Sequence, residues 1–163
     1  MYQAGDYVVK AGNGVCSIEE IMHPDFVQDK EKLYYELIPL EDPYARLYVP
    51  VDRADGLTRR VLTETQADEL IKNINGIHET WIGNEKEREK SYKTAVQSND
   101  PIKLVGIIKL IYQRGKARQE QGKKVTAVDE KYFKIAENLL FSELEFVMKK
   151  DRTEIEALIQ GSH

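Results

Sequence analysis

Tyr7-Val8-Val9-Lys10-Ala11-Gly12-Asn13-Gly14-Val15-Cys16-Ser17-Ile18-Glu19-Glu20-Ile21 is the stretch that decides the first half of this chain. Tyr7-Val8-Val9 is β-prone, and Gly12-Asn13-Gly14 can take positive φ without strain. Val15 to Ile21 then reads as a second strand. Outward from this hairpin, Pro24-Asp25 opens a loop through the charged Gln28–Lys32 stretch. Leu33-Tyr34-Tyr35-Glu36-Leu37-Ile38-Pro39 makes a third strand that Pro39 ends or holds at an edge. After a loop over Glu41-Asp42-Pro43, Arg46-Leu47-Tyr48-Val49-Pro50 makes a fourth. Short strands punctuated by Gly, Pro and Asn over about 50 residues predict a small, strongly bent antiparallel barrel.

From Thr63 the apolar period becomes helical. Thr63-x-x-Gln66 is a capping box ahead of the stripe Ala67, Leu70, Ile71 and Ile74, and Asn75-Gly76 stops that helix. Asn84-x-x-Glu87 opens a charged helix to about Gln97. Asp100-Pro101, a cap followed by proline, opens another that ends near Gly115. Thr126-x-x-Asp129 starts the last long helix, with Phe133, Ala136, Leu139, Leu140, Leu144 and Val147 on one face. Thr153–Gln160 adds a short helical tail. Strands first and helices after, without βαβ alternation, predict an α+β chain: a β domain over 1–60 and an all-α domain over 61–160. Gly161-Ser162-His163 reads as the start of a trimmed tag.

The 163 residues are 41% hydrophobic and 32% charged, a globular composition. No apolar run reaches the roughly 18–20 residues that span a bilayer, and no signal peptide precedes Gly5-Asp6, so a cytoplasmic location is expected. Cys16 is alone, which excludes a disulfide framework and fits a buried, inert thiol. Charge is unevenly distributed. Residues 81–124 hold eleven Lys or Arg against five acids, inside a chain that is −4 overall. The single tryptophan, Trp81, heads that segment. A basic stretch beside a large aromatic suits nucleic-acid phosphate; an exposed helix of i,i+4 pairs with a core Trp accounts for it equally well. Charge alone leaves both open.

Groups for catalysis are scarce. His23, His78 and His163 have no Cys or second His at ligand spacing, and Cys16 has no identifiable base. Gly115 to Gly122-Lys123-Lys124 has the wrong spacing for a phosphate loop and no Ser or Thr after the lysine. Asp52-x-x-Asp55-Gly56 lacks the ligand spacing and closing Glu of a calcium loop. Glu19 and Glu20, adjacent on a strand, point to opposite faces and form no carboxylate pair. The expectation is a protein that is not an enzyme and uses no metal or cofactor.

An ordered set of residues across both halves resembles a known family. Gly5-Asp6-Tyr7-Val8-Val9, Gly14-Val15, Tyr34-Tyr35-Glu36-Leu37 and Tyr48-Val49-Pro50, then a Trp before a basic helix, Ser98-Asn99-Asp100 and Thr126-x-x-Asp129, are similar to the CarD/CdnL family of bacterial transcription factors. The resemblance implies a Tudor/SH3-like barrel that docks on the β subunit of RNA polymerase, with Tyr34, Arg46, Tyr48 and Pro50 as contact residues. It implies a helical domain that reaches promoter DNA. There Trp81 would wedge at the upstream edge of the melted bubble, where a flat ring offsets unstacking worth a few kcal/mol. Lys86, Arg88 and Lys90 would clamp phosphates, with Lys131 and Lys134 on the last helix as further candidates. Some members carry Arg immediately before the Val-Pro pair, where this chain has Tyr48; Arg46, two residues earlier, shares that face on a strand. Some members also hold the Trp about one helical turn closer to the Ser-Asn-Asp turn.

The leading expectation is a monomeric regulator that binds RNA polymerase and stabilises the open promoter complex through largely sequence-independent DNA contacts. The alternative is a protein–protein adaptor whose basic helices meet an acidic partner.

Overall fold

The computed structural model describes residues 1–78 and 83–161; Trp81 lies outside the described residues. The chain divides into two compact units, Met1–Val61 and Leu62–His163. In the first, strands β1 (Tyr7–Lys10), β2 (Gly14–Met22), β3 (Tyr34–Pro39), β4 (Leu47–Pro50) and β5 (Thr58–Arg60) form one antiparallel sheet in the order β4-β3-β2-β1-β5. A short helix, α1 (Ala54–Leu57), precedes β5. The β1–β2 turn uses Gly12 at φ 80° and Gly14 at φ 78°, values that a side chain would strain.

The sheet curls into a half-barrel, with β4 and β5 as its two edges. Two details depart from the sequence reading. The three-residue β5 carries too short a pattern to read from sequence; its pairing of Val8 with Arg60 and Lys10 with Thr58 reveals it. A bulge between Ile18 and Glu20 breaks the alternation, so Glu19 and Glu20 are both exposed instead of facing opposite ways. The core under the curl is Val8, Cys16, Ile18, Tyr35, Leu37, Val49 and Ala54.

The second unit contains α2 (Glu64–Lys72), α3 (Glu85–Gln97), α4 (Pro101–Glu120), α5 (Ala127–Met148) and α6 (Arg152–Gly161). The four capping signatures read from sequence are true caps, whereas the tail read from Thr153 begins at Arg152 as α6. Thr63 and Gln66 close a reciprocal capping box, Asn84 accepts from Glu87 N, Asp100 from Ile102 N and Thr126 from Asp129 N. The end of α4 is corrected. It runs five residues past Gly115, because that glycine is a close-packing point and not a stop: a Cβ there would stand 3.2 Å from Val125 Cγ2. The helices enclose one core that includes Tyr92, Ile107, Ala136, Leu144 and Ile155. Among the described residues no helix is long and apolar enough to cross a membrane.

Candidate functional site

The register of β3 on β4 sorts their side chains into two faces. Tyr35 opposite Val49 and Leu37 opposite Leu47 point inward; Tyr34 opposite Pro50 and Glu36 opposite Tyr48 point outward. Three of the expected polymerase contacts, Tyr34, Tyr48 and Pro50, therefore share the outer face at the sheet edge. Arg46 joins them by an ion pair, its Nε 3.3 Å from Glu36 Oε1. It lies one residue before β4, and its Nη1 also donates to the carbonyls of Pro43 and Ala45. The charge is thus held against its own loop and a neighbouring carboxylate, not extended freely towards solvent. Exposed Phe26 sets its ring edge-on to Tyr48 at 4.9 Å, and Lys32 stands over Tyr34.

The backbone of β4 completes this edge. Val51 N donates to Leu33 O at 3.0 Å. Hydrogen-bonded pairs alternate along an antiparallel ladder, so Val49 and Leu47 also turn their peptide groups towards β3. Tyr48 turns its N–H and C=O the other way, to the open edge. Pro50 shares that orientation but has no N–H to offer. The outward edge of β4 is a short template for one more strand.

In the helical unit the basic residues separate into two populations. Lys86, Lys90 and Lys93 line one exposed stripe of α3 at helical spacing. Arg88 does not belong to it. Lying two residues from both Lys86 and Lys90, it is about 200° around the helix axis from either, on the buried face with Tyr92 and Ala95. Its expected role as a phosphate clamp is corrected: Arg88 is 5% exposed and its Nε lies 3.5 Å from Asp129 Oδ1, an ion pair without hydrogen-bond geometry. Asp129 is fully buried. It accepts from Arg114 Nε at 2.7 Å and from Tyr92 Oη at 2.9 Å. One carboxylate thereby ties α3, α4 and α5. Burial, then the hydrogen bond to Asp129, pushes the Tyr92 phenol far above its usual range.

Lys109 is half-buried and committed to the backbone. Its Nζ donates to Ile74 O at 2.8 Å and Ile77 O at 2.7 Å, closing the turn that follows α2. On α5, Lys131 is exposed with its ammonium 5.3 Å from the Tyr132 ring, and Lys134 pairs with Glu130 at 3.3 Å. Lys86, Lys90, Lys131 and Lys134 therefore remain on the surface. Arg88, Arg114 and Lys109 serve the fold.

Residues 2–62 match the family model described as CarD-like/TRCF RID domain. The first unit is a CarD-like RID domain. The match supports a CarD-like family of RNA polymerase-interacting proteins and a transcription-related role. A search of curated proteins found no match. The helical unit lies beyond the matched residues.

Within the RID domain, two exposed aromatics were missed by sequence reading. Phe26 stands on the β2–β3 loop against Tyr48, and Tyr44, 96% exposed, stands in the β3–β4 loop. Both follow a proline-containing turn, and an aromatic placed where the chain must leave the core was the available signal. Cys16 is buried beneath the sheet, where desolvation raises its thiol pKa to about 11 against the opposing pull of Lys10. Such a thiol is a poor nucleophile. Among the described residues no cluster of His, Cys, Asp and Glu could hold a metal ion.

Proposed function

We propose that this chain is a bacterial transcription regulator whose RID domain docks on the β subunit of RNA polymerase while its helical unit holds promoter DNA and stabilises the open complex. The observation that carries the reading is the outer edge of β4 in a RID domain: Tyr48 offers an unpaired N–H and C=O beside the outward face of Tyr34, Tyr48 and Pro50. A polymerase strand added there gains main-chain hydrogen bonds, and the aromatic face supplies selectivity. Lys86 and Lys90 on α3, with Lys131 and Lys134 on α5, are suited to phosphate contacts that ignore base sequence. Trp81 is the residue that the family resemblance assigns as the wedge. The protein acts as a monomer in the cytoplasm, in company with polymerase, and performs no chemistry of its own.

Two variants of the full chain test the docking mode by titration onto the isolated β subunit. Tyr48→Ala removes the ring but keeps the outward N–H; Tyr48→Pro removes both. Proline is tolerated where an edge N–H faces solvent. Tyr48→Pro should bind more weakly than Tyr48→Ala by the net worth of a hydrogen bond, about 0.5–1.5 kcal/mol. Equal, wild-type affinities for both variants refute docking at this edge. Wild-type protein that binds β but gives no lifetime increase on promoter complexes, and no salt-dependent shift of forked DNA, points instead to the adaptor.

A further inference from the structure

Beside α3, the helical unit carries a second surface whose lining is unlike the rest. Between α4 and α5 lies an open hollow of roughly 650 Å³, lined by Tyr112, Gly115, Lys116, Gln119, Lys124 and Phe133 among others. Its dimensions suit a flat group of nucleoside size. Tyr112 is 65% exposed, an unusual state for an aromatic next to a core, and the half-buried Phe133 lies in the same wall. Gly115 and the Val125 side chain packed on it form the floor. Lys116 and Lys124 are both exposed. The one acid in the lining, Glu130, is paired with Lys134. The sequence around it, 115–128, holds Lys116, Arg118, Lys123 and Lys124 against Glu120 alone. An aromatic platform flanked by lysine point charges is what unpaired nucleic acid requires: a ring for each base face and cations for the backbone.

We propose that the α4–α5 hollow binds single-stranded nucleic acid, with a base stacked on Tyr112 and flanking phosphates on Lys116 and Lys124. A strand is favoured over a free nucleotide because the hollow is open. Tyr112 and Phe133 also line a second hollow of roughly 480 Å³, shared with α6, whose two acids Glu137 and Glu156 are both paired with Arg152, so a strand can extend beyond the first base. An acidic peptide is disfavoured by the exposed aromatic platform, which rewards a planar ring. This site goes beyond the duplex contacts assigned to α3 and α5 and stands on separate residues.

The test uses the full chain without polymerase, with the anisotropy of a labelled thymidine 12-mer and of a 12-base-pair duplex as readouts. Tyr112→Ala should weaken the single strand about tenfold and leave the duplex unchanged, and Tyr112→Phe should restore it. Because Tyr112 is exposed, neither change removes core packing. Lys116→Glu with Lys124→Glu should weaken the single strand and flatten its log–log salt slope by about 1.4, for two phosphates at about 0.7 each. Unchanged single-strand affinity in Tyr112→Ala overturns the proposal. So does displacement of the oligonucleotide by thymidine monophosphate or by polyglutamate as effectively as by unlabelled strand. If Lys86→Glu with Lys90→Glu abolishes single-strand binding and the groove variants do not, the strand binds α3 and the hollow is not its site. In each of these cases titration onto the β subunit is unaffected, so failure here is separate from failure of the docking reading.

Discussion

Asp129 is the residue on which the helical unit's stability should turn, and Arg88 the one on which its DNA role should not. Asp129→Asn keeps the shape of the side chain but leaves the guanidinium groups of Arg88 and Arg114 buried beside a neutral amide. Removing one partner of a buried ion pair costs about 3–5 kcal/mol, because the remaining charge stays desolvated. Arg88→Met makes the opposite kind of change. It removes one of two cations facing a single anion, at a contact of 3.5 Å without hydrogen-bond geometry, and leaves Arg114 and Tyr92 bound to Asp129. Because Arg114 still balances the carboxylate, the change leaves no buried charge uncompensated, so the expected loss is under about 1 kcal/mol. Urea unfolding followed by helical circular dichroism reads this unit, which holds the long helices. With a slope of about 2 kcal/mol/M, Asp129→Asn should lower the midpoint by about 1.5–2.5 M and Arg88→Met by less than about 0.5 M. Duplex affinity should survive Arg88→Met and fall in Lys86→Ala with Lys90→Ala. Equal midpoint losses for Asp129→Asn and Arg88→Met would refute the charge argument. A stable Arg88→Met protein that has lost duplex binding would return Arg88 to the DNA surface.

Arg46→Gln should weaken β-subunit binding only modestly, whereas Arg46→Glu brings a second carboxylate up to Glu36 and should also lower the RID domain's thermal midpoint; equal midpoints would show that the ion pair is inert. The Cys16 thiol, raised to about 11, should resist an aromatic disulfide reagent at pH 8 until the protein is unfolded. The folded pKa is above the unfolded one, so this contribution to stability is complete below about pH 8.5 and declines as pH rises through the folded value; a Cys16→Ser protein with the same alkaline decline would assign it elsewhere. Lys149 ends α5 at φ 55°, so Lys149→Gly should raise stability by about 1 kcal/mol in thermal unfolding, and a loss would show that its side chain contributes more than the strain costs. Trp81→Ala should shorten open-complex lifetime if the wedge reading holds, and an unchanged lifetime in a folded protein would remove it.

The elements of this chain were legible where local chemistry alone determines them. Thr63, Asn84, Asp100 and Thr126 cap helices because each has an oxygen within reach of backbone donors, and that depends on no distant contact. Alternation gives each strand one inner and one outer face, and the pairing shows that Val8, Tyr35, Leu37 and Val49 lie on the inner one. What sequence could not show required a partner far along the chain. β5 is defined by its pairing with β1, and Gly115 reads as a stop until Val125 is seen against it. Arg88 illustrates the site-level version. Its spacing from Tyr92 and Ala95 puts it on the buried stripe, a pattern visible in the sequence, but a buried arginine is improbable until Asp129 is found 41 positions away to receive it. Tyr34, Tyr48 and Pro50 fall on one face because two short strands pair in a single register, and that follows from period-two geometry once the strands are right.

The shared carboxylate also sets an order in which this part of the protein can change by descent. Three helices meet at Asp129, so substitutions at positions 88, 114 and 129 are not independent steps. A lineage that replaces the aspartate first must pass through a form in which two buried guanidinium groups have both lost this carboxylate. One that replaces Arg88 first passes through a neutral pair, with Arg114 still hydrogen-bonded to Asp129. The accessible route therefore begins at position 88, and Asp129 can be exchanged only together with Arg114 or after a new anion has arisen beside it.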